Sequence, residues 1–348
     1  MKIDNANVKQ IQYLNVIRIT ATSFVVLLHI LSIYVNSAVF FDTGIWWFFS
    51  ILNSGTRSGV PLFFMISGYL LLNNPKTLEF ATFYKKQILR VFIPFLTWDI
   101  IYFLCKIISH NEKLNLGLIY TFLKEFTNRG SYYHLWFVYS IIAVYLFAPF
   151  MKRITDSCSN KQLIWLLFVI TFASTLRPFI NTVTPLYIFW FDPIANGYFG
   201  YFLLGYILGK FEIGKKIRIV LYIGGIAGLL IGAIGMYILS SHERIDYTFN
   251  MGFSVNHYLS ATALFLLFKN MKRLNNLKER TERIISYVSS ITFGVYLIHP
   301  LIIEIFMRIV KLDNPLEKGL AVFPISLVAS FLLTAILSKI KYVNKILL

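Results

Sequence analysis

The sequence predicts an all-α polytopic membrane protein of about ten transmembrane helices, the second of them broken near residues 53–61. Three observations carry that expectation. Hydrophobic residues make up 57% of the chain and charged residues 14%, whereas a soluble domain has about a quarter charged. Apolar runs of roughly spanning length, about 20 residues, recur from one end to the other. Lysine and arginine gather at alternate loops, as the positive-inside rule requires.

The runs fall near residues 13–36, 45–73, 90–109, 133–151, 162–180, 196–211, 217–239, 254–271, 287–310 and 317–340. The sixth is short and the second long. No small-residue cleavage site follows the first run, so the first helix is expected to stay in the mature chain. The longest loop, 109–132, is too short to fold alone, and no internal repeat is visible, so residues 1–348 read as one integral membrane domain. Cys105 and Cys158 offer neither metal-ligand spacing nor a disulfide framework.

The net charge of +17 invites a nucleic-acid partner, but its distribution argues against one. With the N-terminus inside, most of the 33 Lys and Arg residues fall on cytoplasmic ends, including Lys76, Lys85, Lys86 and Arg90. The basic balance is therefore topological. Both termini are expected in the cytoplasm and the chain in a membrane that borders it, with lipids around it and no nucleic acid bound.

Ionisable groups inside a span are costly and point to function. In the first span, Arg18 and His29 lie eleven residues apart, which returns to nearly the same helical angle. They share a face and are separated by about 16 Å along the axis. The bland readings are a positive-inside anchor for Arg18 and a hydrogen-bonded core histidine for His29. In the second span, Asn53-Ser54-Gly55-Thr56-Arg57-Ser58-Gly59-Val60-Pro61 breaks the apolar run. Pro61 suits the first position of a new half-helix and Ser58 or Gly59 its cap. Free N–H groups there, beside Arg57, suit an anion or oxyanion site; a kink with a snorkelling or paired arginine is the structural alternative.

Lys85, Lys86 and Arg90 form a basic cluster that suits donor phosphates as well as topology. Asp99 is a candidate partner for an arginine or histidine. The fourth span opens with Tyr132-Tyr133-His134-Leu135-Trp136-Phe137-Val138-Tyr139. His134, Trp136 and Tyr139 suit contacts to a sugar, although aromatics at that level also form the ordinary interfacial belt. His299, followed by Pro300, is a second intramembrane histidine. Glu304 and Arg308 have the spacing and order of a structural ion pair. Arg177, Asp192, Arg244 and Asp246 lie near the outer rim with no assignable role.

Together, Arg18-x10-His29, NSGTRSGVPLFFMISGYL (Asn53–Leu70), YHLWFVYSIIAVYLFAPF (Tyr133–Phe150) and GVYLIHP (Gly294–Pro300) resemble the bacterial membrane acyltransferase-3 family. The four motifs occur in the same order and span most of the chain. The resemblance implies transfer of an acyl group, acetyl first, from cytosolic acyl-CoA to a hydroxyl of an envelope polysaccharide or an undecaprenyl-linked saccharide. It implies that acetyl-CoA serves as donor and that no cofactor is held permanently. By position, His29 is the catalytic histidine and Arg18 its motif partner, while Arg57 remains the oxyanion-site candidate read from the broken second span. The family's Arg-x-x-Arg ahead of the third span is Gln87-x-x-Arg90 here, with Lys85 and Lys86 nearby. Many relatives carry a fused extracytoplasmic hydrolase-like domain; without one, direct transfer to the glycan is expected. A glycan transporter or flippase is the alternative. A lipid-linked glycosyltransferase fits less well, because the first outer loop is short and offers only Asp42 among acidic residues.

Overall fold

The computed structural model describes residues 5–111, 115–184, 197–252 and 254–347. Among them the chain is helical throughout, with no strand. The helices are α1 (Asn5–Val35), α2 (Gly44–Thr56), α3 (Gly59–Leu72), α4 (Phe80–Gln87), α5 (Ile93–Ser109), α6 (Gly117–Asn128), α7 (Trp136–Ser157) and α8 (Asn160–Thr171). They continue as α9 (Arg177–Val183), α10 (Gly197–Lys210), α11 (Lys215–Leu239), α12 (Val255–Lys269), α13 (Glu279–Ser290), α14 (Thr292–Ile309), α15 (Pro315–Ser338) and α16 (Lys341–Leu347).

Among the described residues, eight stretches are long and apolar enough to cross a membrane: Gln12–Val35, Phe80–Ser109, Trp136–Ser157, Asn160–Asn181, Lys215–Leu239, Thr248–Lys269, Thr292–Ile309 and Pro315–Ser338. The two other expected spans have a different character. The second is split into α2 and α3, and the sixth is α10, 14 residues long. A helix of that length covers about 21 Å, short of a hydrocarbon core of about 30 Å. Its Tyr201, Phe202 and Leu203 are fully buried, so it is an inner helix.

The reason for that burial is visible at two glycines. A Cβ on Gly68 of α3 would lie 1.7 Å from the Phe202 carbonyl oxygen, and one on Gly205 of α10 would lie 2.0 Å from the Met65 carbonyl oxygen. The two backbones touch, as small residues allow in membrane packing. The outer helices show the complementary pattern. On α15, Leu320, Ile325, Val328, Leu332 and Ile336 are exposed at helical spacing and form an apolar stripe suited to lipid.

Several boundaries differ from the sequence reading, for local reasons. The third span starts at Phe80, because α4 runs into α5 through a π-helical turn at Ile88–Phe92. Pro94 lacks the N–H that would bond the carbonyl of Arg90, and the wider turn absorbs that loss. A second π-helical turn, Phe172–Leu176, likewise precedes Pro178. The ninth span starts at Thr292 rather than 287, since the preceding polar residues form the amphipathic α13. The 109–132 loop carries α6, which no apolar run announced.

The second span breaks only at Arg57-Ser58; Asn53–Thr56 stays helical. Pro61 is the third residue of α3 rather than the first, and Ser58 makes no side-chain cap. Gly59 opens α3 and lies against α1, where an added Cβ would be 2.8 Å from the Ala21 carbonyl oxygen. The start of α3 is thus seated on α1, leaving Arg57 and Val60 to face the space beside it.

Candidate active site

Two cavities lie along the face of α1 that carries Arg18 and His29. The first, about 490 Å³, is at the end of the bundle where α3 finishes, and Arg18, Lys76, Lys86 and Arg90 line it. Arg18 also donates to the Ser289 hydroxyl (3.3 Å) at the end of α13. Gln87 and Arg90 both reach this cavity, so the altered Arg-x-x-Arg position is still on its wall. Lys85 faces a neighbouring rim recess together with Lys86 and Arg90. A cavity with four cations from four chain segments suits a polyanion.

The second cavity, about 640 Å³, is lined by His29, Arg57, Tyr132, Tyr133, His134 and Trp136, among others. His29 and His134 line it, and His299 packs against both rings. The His29 ring stacks on His299 (centroids 5.2 Å apart) and meets the edge of Tyr133 (4.9 Å). His299 in turn meets His134 at 5.4 Å. Its Nδ1 is 2.6 Å from the Tyr296 carbonyl oxygen; since a carbonyl only accepts, Nδ1 carries the proton there. Arg57 is held by acceptors without charge: Nε donates to Asn53 Oδ1 (2.9 Å) and a terminal nitrogen to the Asn250 carbonyl. Asn53 is itself fixed to Ser32 (3.1 Å). No carboxylate pairs with Arg57 among the described residues.

Other expectations land elsewhere. The Tyr139 hydroxyl donates to the Phe126 carbonyl, and its ring packs on Phe95 at 4.9 Å; it lines neither cavity. Asp99 meets no arginine or histidine: its Oδ1 accepts from the Ser131 N–H (2.6 Å) and pins the loop before α7. Asp192 lies outside the described residues.

The chain's residues 11–339 match the acyltransferase-3 family, described as an acyltransferase domain. The chain belongs to the acyltransferase-3 family. Its family and its span-length apolar helices make it a multi-pass membrane protein. An amino-acid racemase of Enterococcus faecalis is 27% identical over 302 residues, 82% of this chain and 41% of the racemase. The chain thus spans about two fifths of that relative's length. No solved structure gives a significant match.

Sequence reasoning missed several groups at these two cavities. Glu304 forms the expected pair with Arg308, but it also lines the second cavity and accepts from the Tyr132 hydroxyl (3.0 Å). Burial, and then that bond to Glu304, raise the Tyr132 phenol to about 12, so it stays a neutral donor. Tyr296 lies three residues before His299 and so on the same helical face, a spacing that was there to be read.

Proposed function

We propose that the protein transfers an acyl group, acetyl first, from cytosolic acyl-CoA to a hydroxyl of a cell-envelope glycan or its undecaprenyl-linked precursor. The observation that carries this reading is the pair of cavities on one face of α1, a cationic one at Arg18 and a histidine-aromatic one at His29. A charged donor and a hydroxylic acceptor need such separate chambers. The positive-inside rule turns the cationic chamber toward the cytosol, where acyl-CoA is made. The blocks Asn53–Leu70 and Tyr133–Phe150 resemble those of the enterobacterial common antigen O-acetyltransferase, which supports an acetyl donor and a glycan acceptor.

In this reading Arg18, Lys86 and Arg90, with Lys76 and Lys85 at the rim, hold the phosphates of CoA. The acylated arm runs along α1 toward His29, about 16 Å away. The glycan enters the other chamber against Tyr132, Tyr133 and Trp136, with His134 and Glu304 beside them. His29 takes the proton of the acceptor hydroxyl as general base. The oxygen attacks the thioester carbonyl, the new ester C–O bond forms and the C–S bond breaks. The thiolate leaves and takes up the proton, so CoA departs as the free thiol. Arg57, fixed by Asn53, stabilises the oxyanion of the tetrahedral intermediate. In a relay variant, His29 carries the acyl group transiently before the hydroxyl accepts it.

Sealed membrane vesicles given acetyl-CoA labelled in the acetyl group distinguish this enzyme from a glycan transporter. Transfer predicts free CoA released in step with label appearing in glycan. Glycan movement across the vesicle membrane with no CoA release contradicts it.

A further inference from the structure

We propose that Phe137 and Tyr296 form a partition between the two cavities that sets the length of the acyl group passed, admitting acetyl and excluding longer chains. The proposal rests on the acyl-transfer reading above. Of the described residues, these two are common to the linings of both cavities. Both side chains are buried, at 5% and 3% exposure. Their rings meet edge to face, centroids 5.0 Å apart at 62°, a favoured aromatic geometry.

The partition is held from both sides. The Tyr296 hydroxyl donates to the His134 carbonyl, and its own carbonyl is bonded to His299 Nδ1. The Tyr296 ring is therefore tied by its hydroxyl to the backbone at His134, a residue of the acceptor chamber, and cannot swing without breaking that bond. Phe137 is backed by Phe63 (5.7 Å) and by Phe64 (5.4 Å). Phe64 has no exposed surface and stacks on Tyr198 at 4.4 Å. The acyl group is proposed to cross at the edge of a tethered ring packed on a backed one, and the room there is the bore. Packed protein interiors register a change of a single methylene, so each carbon beyond acetyl must be fitted between these rings. Tyr296 holds other site residues, which leaves Phe137 as the position where bore can be changed alone.

The test uses inverted membrane vesicles containing the full-length protein and the cell's own envelope glycan. Radiolabelled acetyl-CoA and butyryl-CoA are offered in competition, and label in the glycan is counted for each. The wild type is expected to favour acetyl. Phe137→Ala is expected to raise the butyryl-to-acetyl ratio about tenfold or more, the discrimination that one or two methylenes give. Phe137→Leu keeps a buried apolar side chain in place and is expected to shift the ratio in the same direction. If both variants transfer acyl groups at the wild-type ratio, the partition is overturned and the acyl-transfer reading stands. If the wild type places label from neither donor in glycan, that reading falls and the partition with it.

Discussion

Arg57 is held by an asparagine side chain and a loop carbonyl, and no carboxylate pairs with it among the described residues. Lysine has one nitrogen and cannot satisfy both acceptors while pointing the same way. Arg57→Lys is expected to leave the amount of membrane-inserted protein near wild type and to lower the acyl-transfer rate about 100-fold, the scale of one lost oxyanion donor. An immunoblot and initial rates in vesicles check both. Arg18 belongs to the other chamber, and its substitution should read differently. Arg18→Gln is expected to raise KM for acetyl-CoA about tenfold, the worth of one charge-assisted hydrogen bond, with a smaller change in kcat. A change confined to kcat would place Arg18 outside donor binding. Both residues stand out in the sequence as arginines within apolar runs, where a charge is costly. Tyr139 was misleading for the opposite reason: at a membrane rim an aromatic side chain has many uses, and this one closes the contact between α6 and α7.

At the scale of elements, the inner pair α3 and α10 supports the cavities. Its backbones touch at Gly68 and Gly205, so Gly68→Ala is expected to destabilise the protein by roughly 1–3 kcal/mol, the usual cost of overpacking. A lower melting temperature of the detergent-solubilised protein, with loss of folded yield, is the measurement; a wild-type transition would contradict the close approach. Periodicity and hydropathy revealed the long helices, since lipid demands an unbroken apolar surface. They revealed less where protein replaces lipid. Short α10 reads like a weak span because its length is set by α3 rather than by the bilayer. The π-helical turn before Pro94 shifts which side chains face the cavity, and linear spacing alone does not register it. The broken second span was legible as polar residues in an apolar run, but the seat of Gly59 on α1 was not, because it depends on a partner helix distant in sequence.

For the whole molecule, the orientation of the cationic chamber decides which compartment supplies the donor. With Cys105 and Cys158 replaced by serine, Asn74→Cys is expected to react with a membrane-impermeant maleimide only in inverted vesicles. Val39→Cys, at a residue 83% exposed, is expected to react only in intact spheroplasts. The reverse pattern would turn the Arg18 chamber away from cytosolic acyl-CoA. The fold class and the Arg18–His29 face could be read from the sequence, because the membrane punishes each departure from them. The division into two cavities could not: it arises where α1, α7 and α14 meet, and Phe137 and Tyr296 look like ordinary span residues until those helices are packed. The central claim is that His29 performs the transfer. Mass spectrometry of envelope glycan from cells whose only copy is His29→Ala tests it most directly, with the variant confirmed at wild-type levels in the membrane. Glycan lacking the acyl mass that wild-type cells add is the predicted result, and glycan acylated to the wild-type extent would contradict it.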